Sequence, residues 1–253
     1  MSISVLQNFK KVESYPFPHI CIENALPEDI YNELEETFPE QLVCSTEALD
    51  KGITYRYKSN PALVDNKISN LWKEFFEYHT SKNFFNHVIS IFENSIESYY
   101  DTEFITQFNG DVGVRKLSKK TYFVTDCQYV VHEPVDQTGT TRTPHLDNPG
   151  EIYAGLLYMK KKNDTSTGGN FVLHEADKVN KVYNTLGRQV DETLFNPVKE
   201  VEYKANTFCM FLNVNQSVHS VTPRINPTQR RRSINIIGEF NKTGKMWEAE
   251  EIK

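Results

Sequence analysis

Residues 143–150 read TPHLDNPG, and within them His145 and Asp147 stand two apart. On an extended strand, side chains i and i+2 leave by the same face, so this imidazole and this carboxylate would aim at one point. A second histidine would complete the two-histidine, one-carboxylate set, whose open positions suit non-haem ferrous iron. The spacing alone is a weak signal. With 7 His and 34 acidic residues, about one such pair arises by chance.

The third ligand must come from another strand. His19 in PFPHI, and His79 and His87 in helical stretches, read as structural. His132 leads toward Pro134, and His174 in GGNFVLH has no fixed face. His219, in NQSVHSVTP, ends a long alternating run with room for several strands between it and His145. It is the histidine of choice, with His174 in reserve.

Past His219 the chain reads QRRRSINIIGEF. Three arginines in a row suit a solvated turn, but these feed an apolar strand, whose period of two should send one of them inward. Arg231, Ser233 and Asn235 share one face, and Arg232, Ile234 and Ile236 share the other. A guanidinium fork with a hydroxyl two residues on makes a clamp for a carboxylate.

Two textures of sequence must position these groups. Residues 24–100 carry helical periodicity, and residues 101–240 alternate and turn as strands do. NALPEDIYNELEETFPE predicts a helix capped by Asn24, with Pro27 in its first turn, Pro39 beyond its end, and Tyr31, Leu34 and Phe38 on one face. Helices are predicted again near 61–79, with Ile68, Leu71, Trp72, Phe75 and Phe76 in a stripe, and near 82–99, with Phe85, Ile89, Phe92, Ile96 and Tyr99. Each stripe needs a partner layer. From residue 121 the short runs TYFVTDCQYVVHEP, EIYAGLLYMK, NFVLHE, VEYKANTFCMFLNV and RRSINIIGEF predict an antiparallel sandwich or barrel. The expected class is mainly β, with helices packed on one sheet.

In this order the motifs resemble the Fe(II)/2-oxoglutarate-dependent dioxygenases, especially the prolyl-hydroxylase-like branch with its bacterial and phage members. HLDNPG is similar to that branch's HxD segment, and GLLYMKK followed by TGGNFVLH looks like its strand and Gly-Gly turn. SVHSVTP resembles its distal-histidine segment and RRSINII its oxoglutarate-arginine strand. The resemblance covers roughly residues 121–240, and the opening SYPFPHICIENALPEDIYNELEETFPE also looks like N-terminal segments of the bacterial and phage members.

The resemblance implies a double-stranded β-helix (jelly-roll) core over 101–240, N-terminal helices over 1–100 supporting one sheet, and a C-terminal tail over 241–253, in a single oxygenase domain of residues 1–253. It implies His145, Asp147 and His219 as iron ligands at the catalytic centre. It implies Arg231, of the three arginines, as partner of the distal carboxylate of the cosubstrate, with Ser233 beside it and Tyr158 hydrogen-bonded to the cosubstrate. The cofactor set implied is Fe(II) and 2-oxoglutarate with O2, and ascorbate as a candidate reductant. The reaction implied is hydroxylation of an unactivated C–H bond with release of succinate and CO2. Asp147 favours hydroxylation, because a halogenase would lack this carboxylate and leave room for halide.

Composition bounds the partners. Net charge is −6, which disfavours nucleic acid, whose binding wants a basic face. Cys21, Cys44, Cys127 and Cys209 form no C-x-x-C pair, so neither a zinc ribbon nor a thioredoxin motif is present. The N-terminal residues lack an apolar signal region, and no apolar run approaches the roughly 20 residues of a membrane span. A cytoplasmic location and no membrane partner are expected. The resemblance favours as substrate a prolyl or other amino-acid residue, free or in a peptide, with a small metabolite as the alternative; residues 132–143 and 160–169 are expected to rim its mouth, and 133–143 to be mobile until substrate binds. The competing class is a non-catalytic, cupin-like metal-binding or sensor module, against which the carboxylate clamp speaks. The sequence carries no mark of an oligomeric state.

Overall fold

Alternating runs from Phe123 onward build two facing sheets, and a cavity lies between them. The protein is seen here as a computed structural model that describes residues 3–46, 54–134, 142–176 and 195–248. The strands are β1 (His19–Glu23), β2 (Thr54–Lys58), β3 (Val112–Val114), β4 (Phe123–His132), β5 (Arg142–His145), β6 (Glu151–Tyr158) and β7 (Thr167–Gly168). There follow β8 (Phe171–Ala176), β9 (Phe195–Val201), β10 (Thr207–Leu212), β11 (His219–Val221), β12 (Arg224–Ile225) and β13 (Arg231–Phe240). The larger sheet has seven strands in the order β1-β10-β6-β13-β4-β2, with β3 also on β4. The smaller has four, β5-β11-β8-β9, and β7 pairs with β12. This is a jelly-roll arrangement with helices on the larger sheet and, among the described residues, no closed barrel.

The register of β13 sorts the chemistry. It pairs along its length with β4, from Arg231 opposite His132 to Phe240 opposite Phe123, and on its other side with β6, Ser233 opposite Tyr158. Arg231, Ser233, Asn235 and Ile237 line the cavity. Arg232 turns the other way, its guanidinium carbon 4.8 Å from the centre of the Phe38 ring. Ile234 and Ile236 are wholly buried in the hydrophobic cluster that also holds Phe38, Trp72 and Phe75. A slip of one residue would exchange these faces, so the helical layer fixes which arginine looks inward.

The helical layer comprises α1 (Glu28–Glu36), α2 (Glu40–Cys44), α3 (Ser59–Val64), α4 (Asn70–His79), α5 (Lys82–Ile91), α6 (Glu93–Tyr99) and α7 (Thr102–Thr106). The first helix starts later than the sequence predicts: Pro27 is its cap, and Asn24 sits at φ 50° in the left-handed region that asparagine tolerates. The helix expected over 61–79 is two, because Asp65 turns extended and Ser69 opens α4 by accepting from the Trp72 N–H. The one expected over 82–99 divides at the buried Phe92, after which the stripe runs out to the half-exposed Tyr99. Tyr129, on the helix-facing side of β4, packs its ring against Trp72 at 4.8 Å, Phe76 at 4.6 Å and Phe38 at 5.3 Å between centroids.

One hydrophobic cluster runs from Val5 through the helices and the larger sheet to Met246. The segment read as a tail docks in its first part: the Met246 N–H donates to the Pro149 carbonyl at 2.7 Å, and Trp247 packs beside Leu146. The four cysteines are free thiols, although Cys21 and Cys209 face each other across β1 and β10 with sulfurs 3.3 Å apart. Among the described residues no helix is long and apolar enough to cross a membrane.

His79 ties the N-terminal segment to this core. Its Nε2 accepts from the Val5 N–H at 3.2 Å, and its Nδ1 donates to the Phe75 carbonyl at 2.7 Å, so only the neutral ring fits. Burial pushes its pKa down to about 3. The unfolded chain takes up this proton near pH 6.5 and the folded state does not, so the stability His79 contributes is present above pH 6.5 and is lost as pH falls toward 3. Between pH 6.5 and 4.5 the native protein should lose about 2 kcal/mol more stability than the His79→Gln variant, read from urea unfolding at both pH values. Equal losses would show that another group carries the acid sensitivity.

Candidate active site

β5 and β11 bring the two histidines together as register partners, His145 opposite His219. His145 Nδ1 donates to the Thr143 carbonyl at 2.8 Å, and His219 Nδ1 donates to the Ser217 carbonyl at 2.9 Å. A carbonyl can only accept, so each ring carries a proton on Nδ1, and it is the neutral ring's Nε2 that would offer its lone pair to a metal. Asp147, just past the strand, places one carboxylate oxygen 3.6 Å from each Nε2. One ligand atom from each of the three residues lies within 4.8 Å of the others. His145 Nε2 is buried with no hydrogen-bond partner, a state that costs free energy unless a cation or donor fills the space beside it. Two neutral imidazoles and one carboxylate fit ferrous iron.

The surroundings hold this geometry. The Asn213 amide donates to the carbonyls of Asn148 and Glu151, each at 2.8 Å, and so clamps the turn that follows Asp147. Phe171 and Phe211 wall His219, their ring centres 5.3 Å and 4.6 Å from its own. His174 is not part of the group: its Nε2 meets Ser220 Oγ at 2.7 Å, on the sheet face opposite His219.

Arg231 forms the second corner. It is 2% exposed, and its Nε donates to the Gly169 carbonyl at 3.0 Å. Its guanidinium carbon lies 5.1 Å from the centre of the Tyr158 ring and 5.0 Å from that of Tyr203. Its Nη2 is buried with no hydrogen-bond partner. The neighbouring arginines all have carboxylates: Arg230 pairs with Glu133 and Glu40, Arg232 with Glu35, and Arg224 with Asp164. Arg231 pairs with no carboxylate among the described residues. A buried cation left so costs several kcal/mol, about what a bound carboxylate would return. Ser233 Oγ and Asn235 Oδ1, on the same face of β13, are also buried without partners.

Tyr158 stands beside Ser233 in register but does not line the cavity. Its hydroxyl is buried without a hydrogen-bond partner, and burial lifts its phenol above the ordinary range, with Arg231 opposing. Gly168 and Gly169 shape this corner from below at φ 74° and 73°. A Cβ on Gly168 would stand 2.0 Å from the Pro223 carbonyl oxygen, and one on Gly169 would stand 3.3 Å from Arg231 Cδ.

The cavity measures about 380 Å³, within the range of small-molecule sites. Segment 160–169, expected at its mouth, does not line it. Asp164 is buried against Arg224 instead, and Gly169 supports Arg231, so this insert is a buttress under the arginine corner. Of the other expected rim, His132 lines the cavity and Glu133 binds Arg230, while 135–141 lie outside the described residues. So does most of the stretch expected to be mobile before substrate binds. Sequence reasoning missed β2, whose Thr54, Arg56 and Lys58 line the cavity. The alternation in TYRYK was the available signal. It also missed Asn213, which no local pattern marks.

Comparison with known proteins adds three findings. A family model described as the 2OG-Fe(II) oxygenase superfamily matches residues 127–237, which hold every residue of both corners. No curated protein matches. Among solved structures the chain is similar to the α-ketoglutarate-dependent epimerase SnoN of nogalamycin biosynthesis, at 10% identity and TM-score 0.51 over 88% of this chain and 78% of that one. It is similar to the dioxygenase for auxin oxidation 1 of Arabidopsis thaliana in complex with 2-oxoglutarate, at 13% identity and TM-score 0.50 over 92% and 85%. A prolyl-4-hydroxylase of Pseudomonas putida aligns at 13% identity and TM-score 0.48 over 89% and 93%.

The ligand geometry has a direct test. Anaerobic titration should show Fe(II) affinity reduced at least about 100-fold in His219→Ala, and little changed in His174→Ala, as befits a ligand against a bystander. The reverse order would move the third ligand to His174.

Proposed function

We propose, from the premise that this chain is a member of the 2OG-Fe(II) oxygenase superfamily and an Fe(II)- and 2-oxoglutarate-dependent dioxygenase, that His145, Asp147 and His219 hold the iron and that Arg231 and Ser233 hold the distal carboxylate of the cosubstrate. The observation that carries the second assignment is the buried Arg231 guanidinium, alone in its run of three without a carboxylate partner among the described residues. Tyr158, whose ring centre lies 5.1 Å from the Arg231 guanidinium carbon, flanks the same corner behind the cavity lining and is the third residue assigned to the cosubstrate in this reading.

Iron with 2-oxoglutarate supplies the oxidising power when bound: one oxygen atom of O2 goes into succinate as CO2 leaves, and the other into a C–H bond of the substrate. The chain's own work is orientation and exclusion. The Nδ1 bonds to Thr143 and Ser217 fix the tautomers that turn both Nε2 atoms to the metal position. The Gly169 carbonyl takes the Arg231 Nε and leaves the rest of the guanidinium for a planar, two-oxygen partner. Phe171, Phe211 and Leu146 keep water from the metal side of the cavity.

The substrate in this reading is an amino-acid residue, free or in a peptide, or a small metabolite of a size the cavity admits. The hydrophobic cluster shared by helices and sheets supports one oxygenase domain spanning the chain. Free thiols and ferrous iron both suit a reducing cytoplasm, with ascorbate as the reductant in assay. A cupin-like module that only stores metal would leave the Arg231 corner without a purpose.

Under anaerobic conditions, Fe(II) and 2-oxoglutarate together should give a weak visible charge-transfer band. Arg231→Lys keeps the charge and loses the fork, so it should raise the half-saturating 2-oxoglutarate concentration about 10- to 100-fold with Fe(II) binding intact. Arg232→Lys, whose partner is Glu35, should change it less than about threefold. The opposite ranking would place the carboxylate on the wrong arginine.

A further inference from the structure

We propose that the edge strand β2 holds the substrate through an anionic group, a carboxylate or a phosphate, which Lys58 and Arg56 bind. This rests on the oxygenase reading and adds the substrate's chemical class to it. β2 pairs with the outer edge of β4, Lys58 opposite Gln128, Arg56 opposite Val130 and Thr54 opposite His132. Its period of two turns Thr54, Arg56 and Lys58 into the cavity, while Tyr57 faces away and donates to Asp65 at 2.8 Å. Along the same sheet face, Val130, Ala154, Leu156 and Ile237 supply an apolar floor, so two cations at its edge need a reason.

Glu151 also lines the cavity, where Arg115 and Arg56 act on it electrostatically, and two other nearby carboxylates are already committed. Asp126 accepts from Ser59 Oγ at 2.7 Å, from Gln128 Nε2 at 2.6 Å and from Arg115 at 3.3 Å. Glu239 takes two bonds from Arg115. Lys58 has no carboxylate at ion-pair distance among the described residues. Arg56 Nη1 donates to Gln128 Oε1 at 3.1 Å, and that amide, itself fixed by Asp126, orients the guanidinium. Burial holds the Lys58 ammonium below the ordinary lysine range; Asp126 opposes this, and Arg115, Lys116 and Arg56 add to it. A bound oxyanion would offset that penalty.

This corner is separate from the one at Arg231. β4 lies between β13 and β2, which sets the two corners about 10 Å apart across the strands, and Lys58 lies four residues further along from the level of Arg231 and Thr54. A charged edge strand has a plainer use, since inward charges discourage edge-to-edge pairing. That use makes no demand on the substrate, and the two are distinguishable.

The test uses the full chain with Fe(II) and 2-oxoglutarate and measures succinate release with matched probes: N-acetyl amino acids against their primary amides, and phosphate monoesters against their parent alcohols. Acidic members should stimulate release and their neutral partners should not. The half-saturating concentration of a stimulating acid should rise at least 10-fold in Lys58→Gln and in Arg56→Gln and recover in Lys58→Arg. The 2-oxoglutarate requirement should stay within twofold in all three. A response confined to carboxylates or to phosphates identifies the oxyanion. Equal stimulation by neutral partners, no stimulation by any acidic member, or unchanged half-saturation in Lys58→Gln would overturn the assignment while the charge-transfer band still forms. Absence of that band would overturn the oxygenase reading, and this proposal with it.

Discussion

The Arg231 guanidinium is folded into a corner that holds it by one carbonyl and two aromatic rings and supplies no negative charge among the described residues. Much of the surrounding structure exists to keep it there. The paired glycines at 168 and 169 adopt left-handed angles so that the Gly169 carbonyl can reach the Arg231 Nε. The buried Arg224–Asp164 pair props the segment that carries those glycines. Glu133, Glu40 and Glu35 occupy the arginines on either side, so the one charge left over is the one that faces the cavity. Leaving it so costs on the order of several kcal/mol, a large share of the net stability of a fold, and a bound carboxylate would offset that cost.

The two sheets divide the work. The smaller carries the histidines, and because His145 and His219 are register partners their approach is set by backbone pairing. The larger carries the arginine corner and the β2 wall. Its register is locked from behind by Tyr129 and by Ile234 and Ile236 against the helices. The helical layer therefore acts on the chemistry without touching it: it decides which side of β13 looks inward. The docked residues Met246 and Trp247 close the far side of the turn after Asp147.

Much of this was legible in the sequence, because period two is a local rule. The alternation through Arg231, Ser233 and Asn235 places those side chains wherever a strand forms. His145 ends β5 and Asp147 lies just past it, so their convergence also depends on the turn that Asn213 clamps. The class of fold followed from helical stripes preceding short strands. What local pattern cannot carry is pairing over long separations. Segment 160–169 has the polar composition of a rim, yet Asp164 finds Arg224 some 60 residues on, and the segment becomes interior. TYRYK is five residues between helical stretches, too short to stand out, and its meaning depends on lying beside β4. Asn213 matters through two carbonyls more than 60 residues away. The helix breaks at Asp65 and Phe92 are likewise set by what the stripes must cover, which the stripes alone do not state.

The central claim is that a dicarboxylate completes Arg231. Its most direct test is thermal unfolding of the anaerobic Fe(II) protein with 2-oxoglutarate or with 2-oxobutanoate, which shares the keto acid and lacks the distal carboxylate. At a 2-oxoglutarate concentration near 100 times its Kd, the Tm should rise by about 5 °C, and the same concentration of 2-oxobutanoate should raise it by less than half as much. Equal rises would mean that the distal carboxylate finds no partner in the protein, and that Arg231 is buried for some other reason.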